Sequence, residues 1–293
     1  MKKRMEGTLT GSLVVSKPTG SHEQSSWADL KIRILITAAA ALIILLAVVF
    51  AGAVAPNDPY TTNALAIRKA PCAAYPFGTD NLGRCVFSRV LYGGRTTIAA
   101  TFFLVFLSFA IGTFIGMICG YLGGWADRLL MRIADILLSF PQMVVAIAVA
   151  GILNGGMKGA MIALGITMWV SFARLARSHT MSIRQEAYIS SAVLAGKSGL
   201  SIICTHVFPN LLAPLFTNAL TQVGTTMIGL SGLSFLGLGV IPPTAEWGSM
   251  ISEARAYIQI APWAVLAPAA VTILTIVVFN YLGDLVMEYR EAA

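Results

Sequence analysis

Gly196-Lys197-Ser198 matches the end of a phosphate-binding loop, in which backbone N–H groups cradle phosphates and a Lys reaches them. Such a loop needs a Gly five residues before the second Gly, and a strand leading into it. Position 191 is Ser and no strand precedes it, so ATP binding by this chain is rejected. The histidines, His22, His179 and His206, form no HExxH pair, and no Ser-His-Asp set assembles around them. Cys72, Cys85, Cys119 and Cys204 lack the CxxC spacing of a metal site. No catalytic residue, metal site or bound cofactor is therefore assigned. Cys72 and Cys85 share one loop, where they either pair in an oxidising exterior or stay free, and Cys119 and Cys204 read as small buried apolar residues.

The elements that would have to position any such chemistry are apolar. Of 293 residues 57% are hydrophobic and 11% charged, with a mean hydropathy of +0.77. Soluble domains carry about a quarter charged residues. Six runs, 34–54, 96–121, 136–153, 159–172, 210–240 and 256–282, are long and apolar enough, with their flanks, to span a bilayer. They are continuous, whereas β-barrel strands alternate, so the chain reads as an all-α membrane protein with six transmembrane helices. Pro141 is expected to kink the third and make it a candidate to line a cavity.

Residues 1–33 read as a disordered cytoplasmic tail, 34–54 as an uncleaved first transmembrane helix and 55–95 as an outer loop. Residues 96–290 read as a five-helix core with a cytoplasmic loop at 180–210. With both termini in the cytoplasm, 13 of the 20 Lys and Arg residues fall inside. The five between Arg68 and Arg95 run against that bias. The basic residues are scattered over separate loops, which argues against nucleic-acid binding.

No carboxylate or His lies at mid-span, so an ion-coupled transporter finds no relay and the energy source is expected elsewhere. The competing class, a nucleotide-independent secondary transporter or channel, predicts such groups and inverted repeats. A pure scaffold would explain Gly112, Gly116 and Gly120, whose GxxxGxxxG spacing suits close helix packing, but not the polar stretch 185–210. There, residues 183–194 suit a helix and Gly196 a helix stop. A second short helix is expected from Ser198 until Pro209 ends the segment. The small residues Ser190, Ser191 and Ala192 offer a close-approach surface, with Tyr188 and Leu194 as apolar anchors. The helix pair reads either as a docking element for a cytoplasmic protein or as an interfacial connector.

This stretch resembles the EAA loop of ABC-importer permeases. Aligned on Gly196, the Glu-Ala-Ala triplet falls on Ser190, Ser191 and Ala192, and the closing group on His206, Val207, Phe208 and Pro209. Ala192, Gly196 and Pro209 match outright, and Ser190 stands where the family has Glu. Tyr188-Ile189 and the His206 to Asn210 close are similar to the peptide and nickel branch. So are Gly78, Thr79, Asp80, Gly83 and Arg84, followed by Ser88, Arg89 and Gly93-Gly94-Arg95, which look like that branch's outer-loop signature; Cys85 stands where it has Asp. Leu233 to Gly239, Pro242-Pro243 and Trp247-Gly248 complete the likeness.

The resemblance implies a MetI-like type I importer permease fold in the bacterial or archaeal cytoplasmic membrane. It implies a second homologous permease, two cytoplasmic ABC ATPase subunits that use ATP and Mg, and an extracytoplasmic solute-binding protein as partners. The implied cargo is a short peptide, glutathione, nickel or a chelated metal, with the substrate-binding residues unknown. Within 244–259, Glu246, Glu253 and Arg255 read either as a landing site for the binding protein or as a solvated cap.

Overall fold

In a bilayer every backbone polar group must be satisfied within its own segment, so continuous apolar runs become helices. The structure, a computed structural model, describes residues 20–292; the expected tail up to residue 19 lies outside the described residues. The elements are α1 (Gly20–Val49), α2 (Ala51–Val54), α3 (Val86–Leu122), α4 (Gly124–Leu138), α5 (Gln142–Ile152) and α6 (Gly156–Arg184). There follow α7 (Ala187–Leu194), α8 (Gly199–Ile202), a π-helical turn (Ile203–Val207), α9 (Phe208–Phe235), α10 (Trp247–Ala254) and α11 (Trp263–Ala292). Among the described residues there are two isolated β-bridges, Cys72 with Tyr75 and Thr79 with Cys85, and no sheet.

Among the described residues five helices are long and apolar enough to cross a membrane, and the bent pair α4 and α5 makes a sixth span if counted as one. Within the expected third span at 136–153 the kink expected at Pro141 is a full break. The two halves meet at 90°, because Pro141 cannot donate a backbone hydrogen bond and sits extended before α5. The segment N-terminal to the break is an amphipathic helix. It leaves Trp125, Leu129, Ile133 and Ile136 exposed on one stripe and sends two carboxylates toward α6. Asp127 pairs with Arg177 (Oδ2 to Nη2, 2.7 Å) and Asp135 with Arg174 (2.6 Å). These pairs let α6 run on as helix to Arg184, past the apolar run 159–172 into its charged flank as expected.

Other boundaries move for similar reasons. Helix α1 begins at Gly20, inside the expected tail, and α3 begins at Val86, inside the expected outer loop. Three of the five basic residues that opposed the charge bias, Arg84, Arg89 and Arg95, are committed to fixed partners. Arg95 donates to the last carbonyls of α1, Val48 O at 2.9 Å and Val49 O at 2.6 Å, capping that helix's C-terminus. The expected last span at 256–282 starts later, at Trp263.

Helices α3 and α6 pack closely along a glycine series. A Cβ at Gly112 would lie 2.7 Å from Phe172 Cβ, one at Gly116 2.7 Å from Ala176 Cβ, and one at Gly120 2.7 Å from Arg177 O. Such contacts, partly with backbone, leave no room for a side chain. Gly116→Val is expected to push the two helices apart at a cost of about 1–3 kcal/mol. Gly151→Ala, at a helical position with open space around it, is expected to be neutral. Thermal unfolding of both variants in detergent measures the difference.

Candidate functional site

Two constructions stand out at opposite ends of the helices. The first is the α7–α8 elbow. Helix α6 ends at Arg184, Gln185 and Glu186 turn the chain, and α7 follows. Gly196 has φ +79° and closes α7 with paired bonds, Gly196 N to Val193 O (2.9 Å) and Lys197 N to Ala192 O (3.1 Å). This left-handed helix stop favours glycine. Ser198 Oγ accepts from Ser201 N and starts α8.

The elbow is anchored on one side and bare on the other. Ile189 and Ala192 are buried, whereas Ser190 and Ser191 face outward. Tyr188 is 45% exposed, Leu194 89% and Leu200 73%. Leu200 was not singled out from sequence; its place one turn past Gly196 in an otherwise polar segment was the available signal. His206 braces the elbow: its ring lies edge-on to Tyr188 at 6.1 Å, and its Nε2 is 3.1 Å from Lys197 Nζ. Because Lys only donates, that contact uses the neutral imidazole as acceptor.

Pro209 does not end the segment. It lies in the first turn of α9, which continues from α8 through the π turn at Ile203–Val207. The wider π turn makes room for the Pro209 ring. Cys204, expected to be buried, is exposed on this turn, while Cys119 is buried.

The second construction is a buried charge cluster at the start of α3. Asp80 Oδ1 accepts from the backbone N–H groups of Leu82 and Arg84, both at 2.9 Å. Its Oδ2 takes Arg84 Nε at 2.6 Å, and Arg84 Nη2 reaches Glu253 Oε2 on α10 at 2.8 Å. Arg89 lies 3.7 Å from both acids and donates to Pro59 O and Pro243 O. Two Arg and two acids make a neutral quartet, which is how buried charge is tolerated. Thr79 Oγ1 donates to Ala66 O and accepts from Lys69 N. Ser88 Oγ accepts from Asn57 N. Trp263 Nε1 donates to Thr79 O, against Gly78, where no Cβ fits. Gly83, at φ +74°, packs on the Asn63 backbone. Tyr257 borders the cluster, and burial pushes its phenol up, keeping it neutral.

Glu246 is corrected by its burial. At 1% exposure it is no landing surface: its Oε1 accepts from Gly248 N (2.9 Å) and its Oε2 from Ser249 N (2.8 Å), capping α10. Glu253 is tied to Arg84, and of the three candidates Arg255 alone is exposed. The N-terminal half of this segment is no solvated cap either, since Trp247 is fully buried, donates Nε1 to Val90 O at 2.8 Å and packs on Gly93 and Gly94, whereas Arg255, Ala256, Ile258 and Gln259 are exposed. Cys72 and Cys85 are free thiols. Among the described residues no group of three or more His, Cys, Asp or Glu is arranged to hold a metal.

Residues 112–292 match the family described as binding-protein-dependent transport system inner membrane component. The chain belongs to this family. Its relatives include a glutathione transport system permease protein, GsiD, of Escherichia coli O6:K15:H31. That protein is 41% identical over 255 residues, covering 85% of this chain and 83% of the relative. A dipeptide transport system permease protein, DppC, of Alkalihalophilus pseudofirmus is 40% identical over 240 residues, covering 82% and 79%. A chain of the MetNI methionine ABC transporter, in inward-facing conformations, superposes with a TM-score of 0.57 at 17% identity, over 71% of this chain and 97% of that one, a likeness of fold.

The chain is therefore a multi-pass inner-membrane permease subunit of an ABC importer, and the expected MetI-like all-α fold is the fold observed. In this permease the elbow and the charge cluster are far apart in sequence, joined by the long helices α3, α6 and α9. Between them, where the α4–α5 break faces α6 and α9, lies a cavity of about 620 Å³.

Proposed function

We propose that this permease forms half of the translocation pore of an ATP-driven importer of short peptides, with glutathione and dipeptides as the candidate cargo. The observation that carries the coupling role is the elbow's bare apolar face, Tyr188, Leu194 and Leu200, held by a buried base. A soluble ATPase with an apolar groove covers such a face. Ser190, Ser191, Ala192, Gly196, His206 and Pro209 shape or brace the elbow so that it moves as one piece. Two ATPases hydrolyse MgATP below two paired permeases, a binding protein delivers cargo to the opposite mouth, and both termini lie in the cytoplasm. The named cargo of the two relatives supports peptide over nickel.

The test is purification of the chain from its native membrane in mild detergent, with mass spectrometry of what accompanies it, and uptake of radiolabelled glutathione and alanyl-alanine. Two ATPase subunits, a second permease and uptake of at least one probe are expected. A chain that emerges alone makes the nucleotide-independent transporter the better reading.

A further inference from the structure

We propose that the cavity at the α4–α5 break is a peptide-recognition site in the permease itself, taking the carbonyl and carboxylate oxygens of the cargo. This rests on the peptide-importer reading above. The cavity's volume, about 620 Å³, lies within the roughly 300–1,000 Å³ of small-ligand sites. Its polar lining comes from three elements: Gln142 beside the break, Ser171 and Arg174 on α6, and Asn218, Gln222 and Thr225 on α9. Ser171 and Gln222 lie near the middles of α6 and α9, at depths where neutral polar groups are unfavourable unless they face a cavity or a partner.

Donors of the cavity are left without full use. Asn218 Nδ2 is buried with no hydrogen-bond partner. Gln222 Oε1 is taken by the Thr225 hydroxyl at 2.8 Å, so the amide's remaining capacity is its N–H groups. Arg174 is the one charged side chain of the lining. Asp135 takes one of its nitrogens at 2.6 Å, and the planar guanidinium has further N–H groups to give. Amide donors plus one guanidinium match peptide carbonyls and a terminal carboxylate, whatever the cargo's side chains. The lining holds no carboxylate, imidazole or thiol for a bare cation. Selection of cargo would then have a second checkpoint after the binding protein.

Two measurements on the assembled transporter test this. Thr225→Cys is treated with N-ethylmaleimide and modification at residue 225 is read by mass spectrometry, with binding protein and MgATP, with and without alanyl-alanine. The cysteine is expected to react, and the dipeptide to slow it about tenfold if the site is occupied most of the time. Asn218→Leu and Gln222→Leu are expected to lower uptake of alanyl-alanine about tenfold each, through KM and rate together, with ATPase subunits still bound. Protection by the dipeptide needs neither Leu variant to assemble. An unreactive or unprotected residue 225, or unchanged uptake in both Leu variants, overturns the site. Wild-type transporter that takes up neither alanyl-alanine nor glutathione removes the peptide reading itself. Normal wild-type uptake with indifferent variants removes the cavity site alone.

Discussion

Leu194→Asp is expected to leave the chain folded in the membrane and to strip it of its ATPase partners, with uptake falling about 100-fold or more. The magnitude follows from the position. Leu194 is 89% exposed, so its own fold has little use for it, and a carboxylate there stays in water until a partner tries to dock. Truncating an anchor at the centre of an interface costs about 2–4 kcal/mol, and burying an unpaired charge in its place adds to that. Gly196→Asp would be the harder variant to interpret. At φ +79° any L side chain adds strain of order 1–2 kcal/mol to the elbow, so lost docking and a misshapen elbow would look alike. Leu194→Met, which keeps an apolar anchor of similar volume, is expected to retain both partners and uptake. Copurification of ATPase with Leu194→Asp at wild-type level would show that this face is covered by something else, lipid included.

The elbow and the spans were legible in the sequence to different degrees, and the differences have physical causes. Apolar runs in 96–121 and 256–282 announced helices because nothing else satisfies a backbone in lipid. Their ends were not legible, because charges that would stop a span in isolation are neutralised by partners distant in sequence. Arg177 is answered by Asp127 and Arg84 by Glu253, across 50 and 169 residues. Pro141 and Pro209 look alike in sequence yet act oppositely, one at a 90° break and one absorbed by a π turn. Pro214 and Pro268 also sit inside continuous helices, so whether a Pro breaks a helix is decided by the packing around it and not by its presence. The Gly112, Gly116 and Gly120 spacing pointed to a close helix contact, and GxxxG geometry is nearly independent of the partner. The outer motifs were visible as a pattern, but not that Gly93-Gly94 and Trp247 are two sides of one contact. The cavity lining was the least visible, because Asn218, Gln222 and Ser171 are isolated neutral residues that periodicity does not single out.

Glu246→Ala should reduce folded permease more than the loss of one exposed acid would suggest, by about 2–3 kcal/mol, the scale for losing hydrogen bonds to a charged acceptor and stranding their buried donors. The carboxylate is 1% exposed and answers three donors, the N–H groups of Gly248 and Ser249 and the hydroxyl of Thr97. Without it those groups remain buried, and Thr97, which also receives the Trp247 N–H, loses its own acceptor. The defect would spread, because α10 carries Glu253 to Arg84 and seats Trp247 on Gly93 and Gly94. Glu246→Gln is expected to fall between: its single oxygen can take one backbone N–H, but its amide N–H groups then face the other. Melting in detergent and yield from the membrane read the order, wild type above Gln above Ala. A binding-protein landing role would predict the reverse pattern, with melting unchanged in both variants and only the affinity for the binding protein reduced. Arg255, exposed above the Phe235 ring at 5.4 Å, is the residue of that segment whose substitution can alter affinity without altering the fold.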